Sequence, residues 1–136
     1  MKALCEKLYD YRLSRTSLHK DDKILTAWNG LMIAALARAS LLCREPAWLE
    51  AARRAQRFLE NRLTDHHGRL YVRYRDGEAA GTGNLEDYAC YGWALLELYQ
   101  ATWNADYLEK AVHIAGQMVQ WFSDRERGGY YLYASD

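Results

Sequence analysis

The chain has 136 residues, within the usual span of one domain and long enough to bury a core. Its 18 Lys and Arg balance its 18 Asp and Glu, which excludes a net field drawing it to nucleic acid or an anionic membrane. Thirteen of the cations are Arg, whose rigid fork suits carboxylates and aromatic faces, a hint of an anionic or ring-shaped ligand.

The leading segment, Lys2 to Arg12, reads as a helix. It lacks the apolar stretch and small-residue cleavage site of a secretory signal, and no window approaches the ~18 apolar residues of a membrane span, so a cytoplasmic setting is expected. Cys5, Cys43 and Cys90 stand far apart, with no CxxC and no His at metal-ligand spacing. They read as reduced core residues, and neither a metal nor a cofactor is expected.

Thr26 to Leu42 is apolar nearly all round, the pattern of a helix covered on most sides. Pro46 suits the first position of the next helix, Ala47 to Leu63. There Trp48, Leu49, Ala52, Ala55, Leu59 and Leu63 form one stripe opposite Arg53, Arg54 and Arg57. Asp65-His66-His67-Gly68 predicts a turn into a short strand, Leu70 to Tyr74. After Gly81-Thr82-Gly83-Asn84 the order returns: an apolar helix from about Leu85 to Thr102, an amphipathic one from Ala105 to Phe122, a turn, and a strand at Tyr130 to Tyr133.

A shift of 59 places Leu49 on Leu108, Glu50 on Glu109, Ala52 on Ala111, Leu36 on Leu95 and Asp65 on Asp124, so the chain is an internal repeat of helical hairpins. Wrapped helices lose their polar face and rim helices keep it, which makes the first helix of each pair inner and the second outer. The expected fold is all-α, a partial (α/α)6 toroid with short β insertions, its hairpins at about 22–63 and 85–122. Two hairpins do not close a ring, so the chain is expected to be a fragment of one toroid domain, completed by the remaining hairpins or by self-association through its exposed inner helices.

In such a ring the inner helices start at one end, where free amides and helix dipoles favour anions and polarised oxygens. Two segments fall there: Asp21 to Gly30, and Asn84-Leu85-Glu86-Asp87-Tyr88. Carboxylates, aromatics and Arg together suit a sugar ring. Asp22, Glu86 and Asp87 are the acid/base candidates. Trp28 and Tyr88 are candidate stacking faces, Asn29 an orienting amide, and Asp21 and Arg73 further binding groups. Capping competes with these roles, because Asp22 or Thr26 could cap the first inner helix and Asn84 with Asp87 resembles a capping box. Trp28 also suits a core. His66-His67 reads as a solvated turn rather than a metal site, lacking a third ligand. Gly81-Thr82-Gly83 lacks the strand context and Lys of a phosphate loop.

Arg12-x-x-Arg15, Asp21-Asp22-Lys23-Ile24-Leu25, Trp28-Asn29-Gly30-Leu31 and Leu85-Glu86-Asp87-Tyr88-Ala89 resemble, in order and spacing, the spermatogenesis-associated protein 20 family and its bacterial relatives. The resemblance covers nearly the whole chain and departs at Leu18, where the family usually has proline. It implies a thioredoxin-like domain followed by a six-hairpin glycosidase-like ring, of which this chain matches part. A carbohydrate-active site, of glycoside hydrolase or sugar epimerase type, is the leading expectation. An epimerase would want a base near neutrality, for which His19 is the nearby candidate. The rival is a non-catalytic scaffold that recognises a protein or glycan beside the thioredoxin-like domain.

Overall fold

In a computed structural model describing residues 2–15 and 20–135, two helical hairpins carry the core. A leading helix, α1 (Lys2–Leu13), is followed by β1 (Ile24–Leu25), then by the hairpin α2 (Thr26–Cys43) and α3 (Pro46–Arg62). The strands β2 (Tyr71–Arg75) and β3 (Glu78–Thr82) separate it from the second hairpin, α4 (Leu85–Thr102) and α5 (Ala105–Phe122). Three of the four hairpin helices start where the sequence supplies a start. Pro46 stands at the first turn of α3, and the Asn84 and Asn104 side chains accept amides of α4 and α5. Arg44 and Trp103, both left-handed, end α2 and α4 at equivalent places in the repeat.

The inner helices α2 and α4 pack against each other, and α3 and α5 cover them from outside. Ile33, Ala37, Leu59, Tyr91, Leu95 and Ile114 are buried between the layers. Truncating a fully buried Leu59 or Leu95 to Ala would cost about 2–5 kcal/mol. At the crossing of the inner helices, a Cβ on Gly30 would stand 2.7 Å from the Cys90 carbonyl carbon, so only a residue without one permits this approach. The repeat also has a direct contact: Arg38 and Glu97, 59 residues apart, pair at 3.2 Å, and the buried Glu97 carboxylate also accepts from Trp93 Nε1 at 3.0 Å.

Several expectations are corrected. The strands form a three-stranded antiparallel sheet in the order β1-β2-β3, whereas the sequence reading had only β2 in this region. Tyr130 to Tyr133 is not a strand. Ser123 and Tyr130 make one isolated bridge, although the turn before them repeats the first, with Asp65 and Asp124 each accepting two nearby amides. Cys5 and Cys43 are exposed and Cys90 is half-buried, so none is a core residue. One helix, α2, is long and apolar enough by length and composition to cross a membrane, contrary to the sequence expectation. Its apolar side chains Ala27, Ile33, Ala34 and Ala37 are buried against protein.

Candidate functional site

The inner-helix mouth is built around one carboxylate. The residue preceding α2, Leu25, is extended and offers no side-chain cap, so the first amides of this helix need an acceptor from elsewhere. Asp87 supplies it: Oδ1 accepts from the Ala27 amide at 3.0 Å, while Oδ2 accepts from the Asn84 amide at 3.0 Å. Asn84 Oδ1 in turn accepts from the amides of Glu86 and Asp87, completing a capping box. One side chain thereby ties the N-termini of both inner helices. Burial pushes the Asp87 carboxyl above its usual range, outweighing the opposing pull of the Asn84 and Ala27 amides.

This geometry corrects two expected roles. Asp87 is almost fully buried with both oxygens engaged by backbone amides, so its position is that of a structural anchor rather than an acid/base group open to substrate. Tyr88 is fully buried, accepts the Leu70 amide at 3.0 Å and packs on Phe122 and Trp121, so it offers no stacking face. Neighbouring hairpins could only bury it further. The capping expected from Thr26 or Asp22 also fails, since Thr26 Oγ1 donates to the Tyr71 carbonyl oxygen and Asp22 pairs with Arg75.

The remaining candidates stay at or near solvent. Glu86 is exposed on the first turn of α4, and Trp28, 67% exposed, stands on the first turn of α2. Asn29 is half-buried and donates through Nδ2 to the Leu25 carbonyl oxygen at 2.8 Å, the partner that an amide in an apolar helix requires. His19 lies outside the described residues.

The sheet forms the second wall. β1 pairs Leu25 with Arg73, and the alternation of β2 sets Arg73 and Arg75 on one face while Tyr74 turns its ring edge-on to Phe58. Lys23, Arg73, Arg75, Asp76 and Glu78 line an open depression of about 390 Å³. Asp22 Oδ1 lies 2.9 Å from Arg75 Nε, and Asp21 pairs with Lys23 at 3.3 Å. The Lys23 backbone amide, which Asp21 accepts, holds that carboxyl below its usual range. Such exposed pairs contribute little to stability, and a ligand can exchange for them at small cost. Lys23 and Arg75 join this wall although the sequence reading passed over them; the alternation that singled out Arg73 puts Arg75 on the same face.

No family model matches the chain. It is 33% identical over 135 residues to spermatogenesis-associated protein 20 of Rattus norvegicus, covering 93% of this chain and 17% of the relative, so it spans less than a fifth of that protein. The fold is similar to cellobiose 2-epimerase from Spirochaeta thermophila, with TM-score 0.73 and 24% identity over 81% of this chain and 28% of the other. It is likewise similar to a GH76 α-mannanase from Bacteroides thetaiotaomicron, with TM-score 0.71 and 23% identity over 85% of this chain and 32% of the other. At those identities the likeness is one of fold, and the fold is that of the (α/α)6 toroid enzymes. Over nearly its whole length the chain is therefore similar to one segment of spermatogenesis-associated protein 20.

Proposed function

We propose that this segment contributes two hairpins to a toroid whose inner-helix mouth binds and transforms a carbohydrate. The observation that carries the reading is the joint cap at Asp87, which brings Glu86, Trp28 and Asn29 to one end, beside a sheet bearing Arg73 and the segment leading into it, which carries Asp21 and Asp22. Similar folds include sugar epimerases and glycoside hydrolases. Asp22 and Glu86 are the acid/base pair in this reading, with Trp28 as the stacking face, Arg73 and Asp21 as hydroxyl or anion contacts, and Asn29 as the orienting amide. Hydrolysis requires their carboxyls about 5–5.5 Å apart for retention or about 6.5–9.5 Å for inversion.

A glycan and sugar-phosphate binding screen on the protein carrying the complete ring tests the reading. Binding that Trp28→Ala abolishes is expected, and a complete screen without a hit overturns it. One observation favours the second reading, a non-catalytic scaffold recognising a protein or glycan: Asp87 and Tyr88, two of the five residues of the Leu85 to Ala89 motif, are engaged in structure. Biological function that survives Asp22→Asn with Glu86→Gln would select it.

A further inference from the structure

A second concavity lies away from the mouth, between the outer helices α3 and α5. Its volume is about 300 Å³, at the lower end of the sizes that hold small molecules. Both walls belong to this chain. Further hairpins of a ring would attach at the free flanks of α2 and α4, so they would leave this groove open.

Its floor is apolar, made by Leu70, Ile114 and the Tyr91 ring. Above the floor runs a chain of polar contacts. The Glu60 carboxylate receives Lys110 Nζ at 2.5 Å and Gln56 Nε2 at 3.1 Å, and Gln56 Nε2 also donates to Tyr91 Oη at 3.1 Å. Glu60 is thus satisfied, whereas one buried donor, the Tyr91 hydroxyl, is not. Tyr91 accepts from Gln56 but has no acceptor for its own proton among the described residues, although it is only 4% exposed. Burial pushes its phenol up to about 12, so the proton stays on the oxygen. Lys110 keeps N–H groups beyond the one facing Glu60. At the rim, Glu109 is exposed and makes no ion pair among the described residues.

We propose that this groove binds a free amino acid with an apolar side chain. Tyr91 O–H and Lys110 hold its carboxylate, Glu109 meets its ammonium, and Leu70 and Ile114 receive its side chain. The zwitterion fits both signs of charge, where a simple anion would face Glu109 and a simple cation would face Lys110. The site is independent of the carbohydrate reading, since it shares no residue with the mouth.

Isothermal titration of the protein with L-leucine, leucinamide and 4-methylpentanoate tests the assignment. Leucine is expected to bind at one site, and each analogue about tenfold or more weakly, because each leaves a charged partner unmet. Tyr91→Phe keeps the ring and, with its melting temperature checked, is expected to weaken leucine. Glu109→Gln is expected to weaken leucine and to tighten 4-methylpentanoate, which no longer faces a like charge. Absence of leucine binding, analogues that bind as well as leucine, or leucine binding indifferent to both substitutions would each overturn the proposal.

Discussion

Asp87 shows how one residue can look catalytic in a sequence and be structural in the fold. An acidic residue three positions after Asn84 satisfies its own helix, yet its other oxygen reaches the Ala27 amide of a helix 60 residues earlier. Removing the carboxylate leaves two buried amides without acceptors, so Asp87→Ala is expected to lower stability by about 2–4 kcal/mol in urea unfolding. Its pH dependence has a definite sign. Because burial raises the native pKa of Asp87 above the ordinary carboxylate value, the native state binds this proton more tightly than the unfolded state. The contribution is full below the unfolded pKa of 3.8 and declines as pH rises through the native value. The difference in stability between wild type and Asp87→Asn should therefore shift against the wild type across that acid window, in denaturant titrations at successive pH values. A shift in its favour contradicts the assignment.

At the scale of elements, the close crossing of α2 and α4 gives the sharpest test. Gly30→Ala places a methyl group 2.7–2.9 Å from the Cys90 and Tyr91 backbone, and is expected to destabilise by about 1–3 kcal/mol. Gly116, helical in α5 with nothing within 4 Å of a built Cβ, is the control: Gly116→Ala is expected to stabilise by about 0.5–1 kcal/mol. Equal effects of the two in chemical denaturation would contradict the packing described. The four hairpin helices were legible from their apolar patterns, helped in α3, α4 and α5 by Pro and Asn starts, and the contrast of all-round and one-sided apolar faces located their inner and outer roles. The strands were less so. β3, Glu-Ala-Ala-Gly-Thr, has neither β-branched enrichment nor alternation, and β1 has only two residues continuous with an apolar helix. The signal that could have found β3 is Asp76-Gly77, both at positive φ, the turn that joins a tight hairpin. In the candidate site, the capping box of Asn84 and Asp87 was legible from spacing, whereas the reach of Asp87 to the Ala27 amide and the burial of Tyr88 were not, because spacing tells which turn a residue occupies but not which distant amide it meets.

Across the whole molecule, both flanks of the hairpin pair carry apolar surface. Trp28, Met32, Trp93 and Val112 are 67%, 58%, 48% and 65% exposed, and Ala89, Trp93, Leu96 and Met118 frame an apolar groove on the α4–α5 side. Exposed apolar area on this scale marks contact surface. The isolated chain is expected to self-associate, raising its mass in light scattering with concentration, whereas a stable, well-folded monomer would count against the two-hairpin unit as part of a larger ring. The charged wall at Asp21, Asp22, Lys23, Arg73 and Arg75 is a different surface, and its pairs are exposed enough to open for a ligand.

The most direct measurement of the central claim is turnover of the carbohydrate found by the binding screen, followed by proton NMR of its anomeric signals, in the complete-ring protein and in its Asp22→Asn with Glu86→Gln variant. The acid/base assignment predicts that the variant keeps binding but loses turnover by a factor of about 10²–10⁴. Turnover equal to that of the wild type would contradict it.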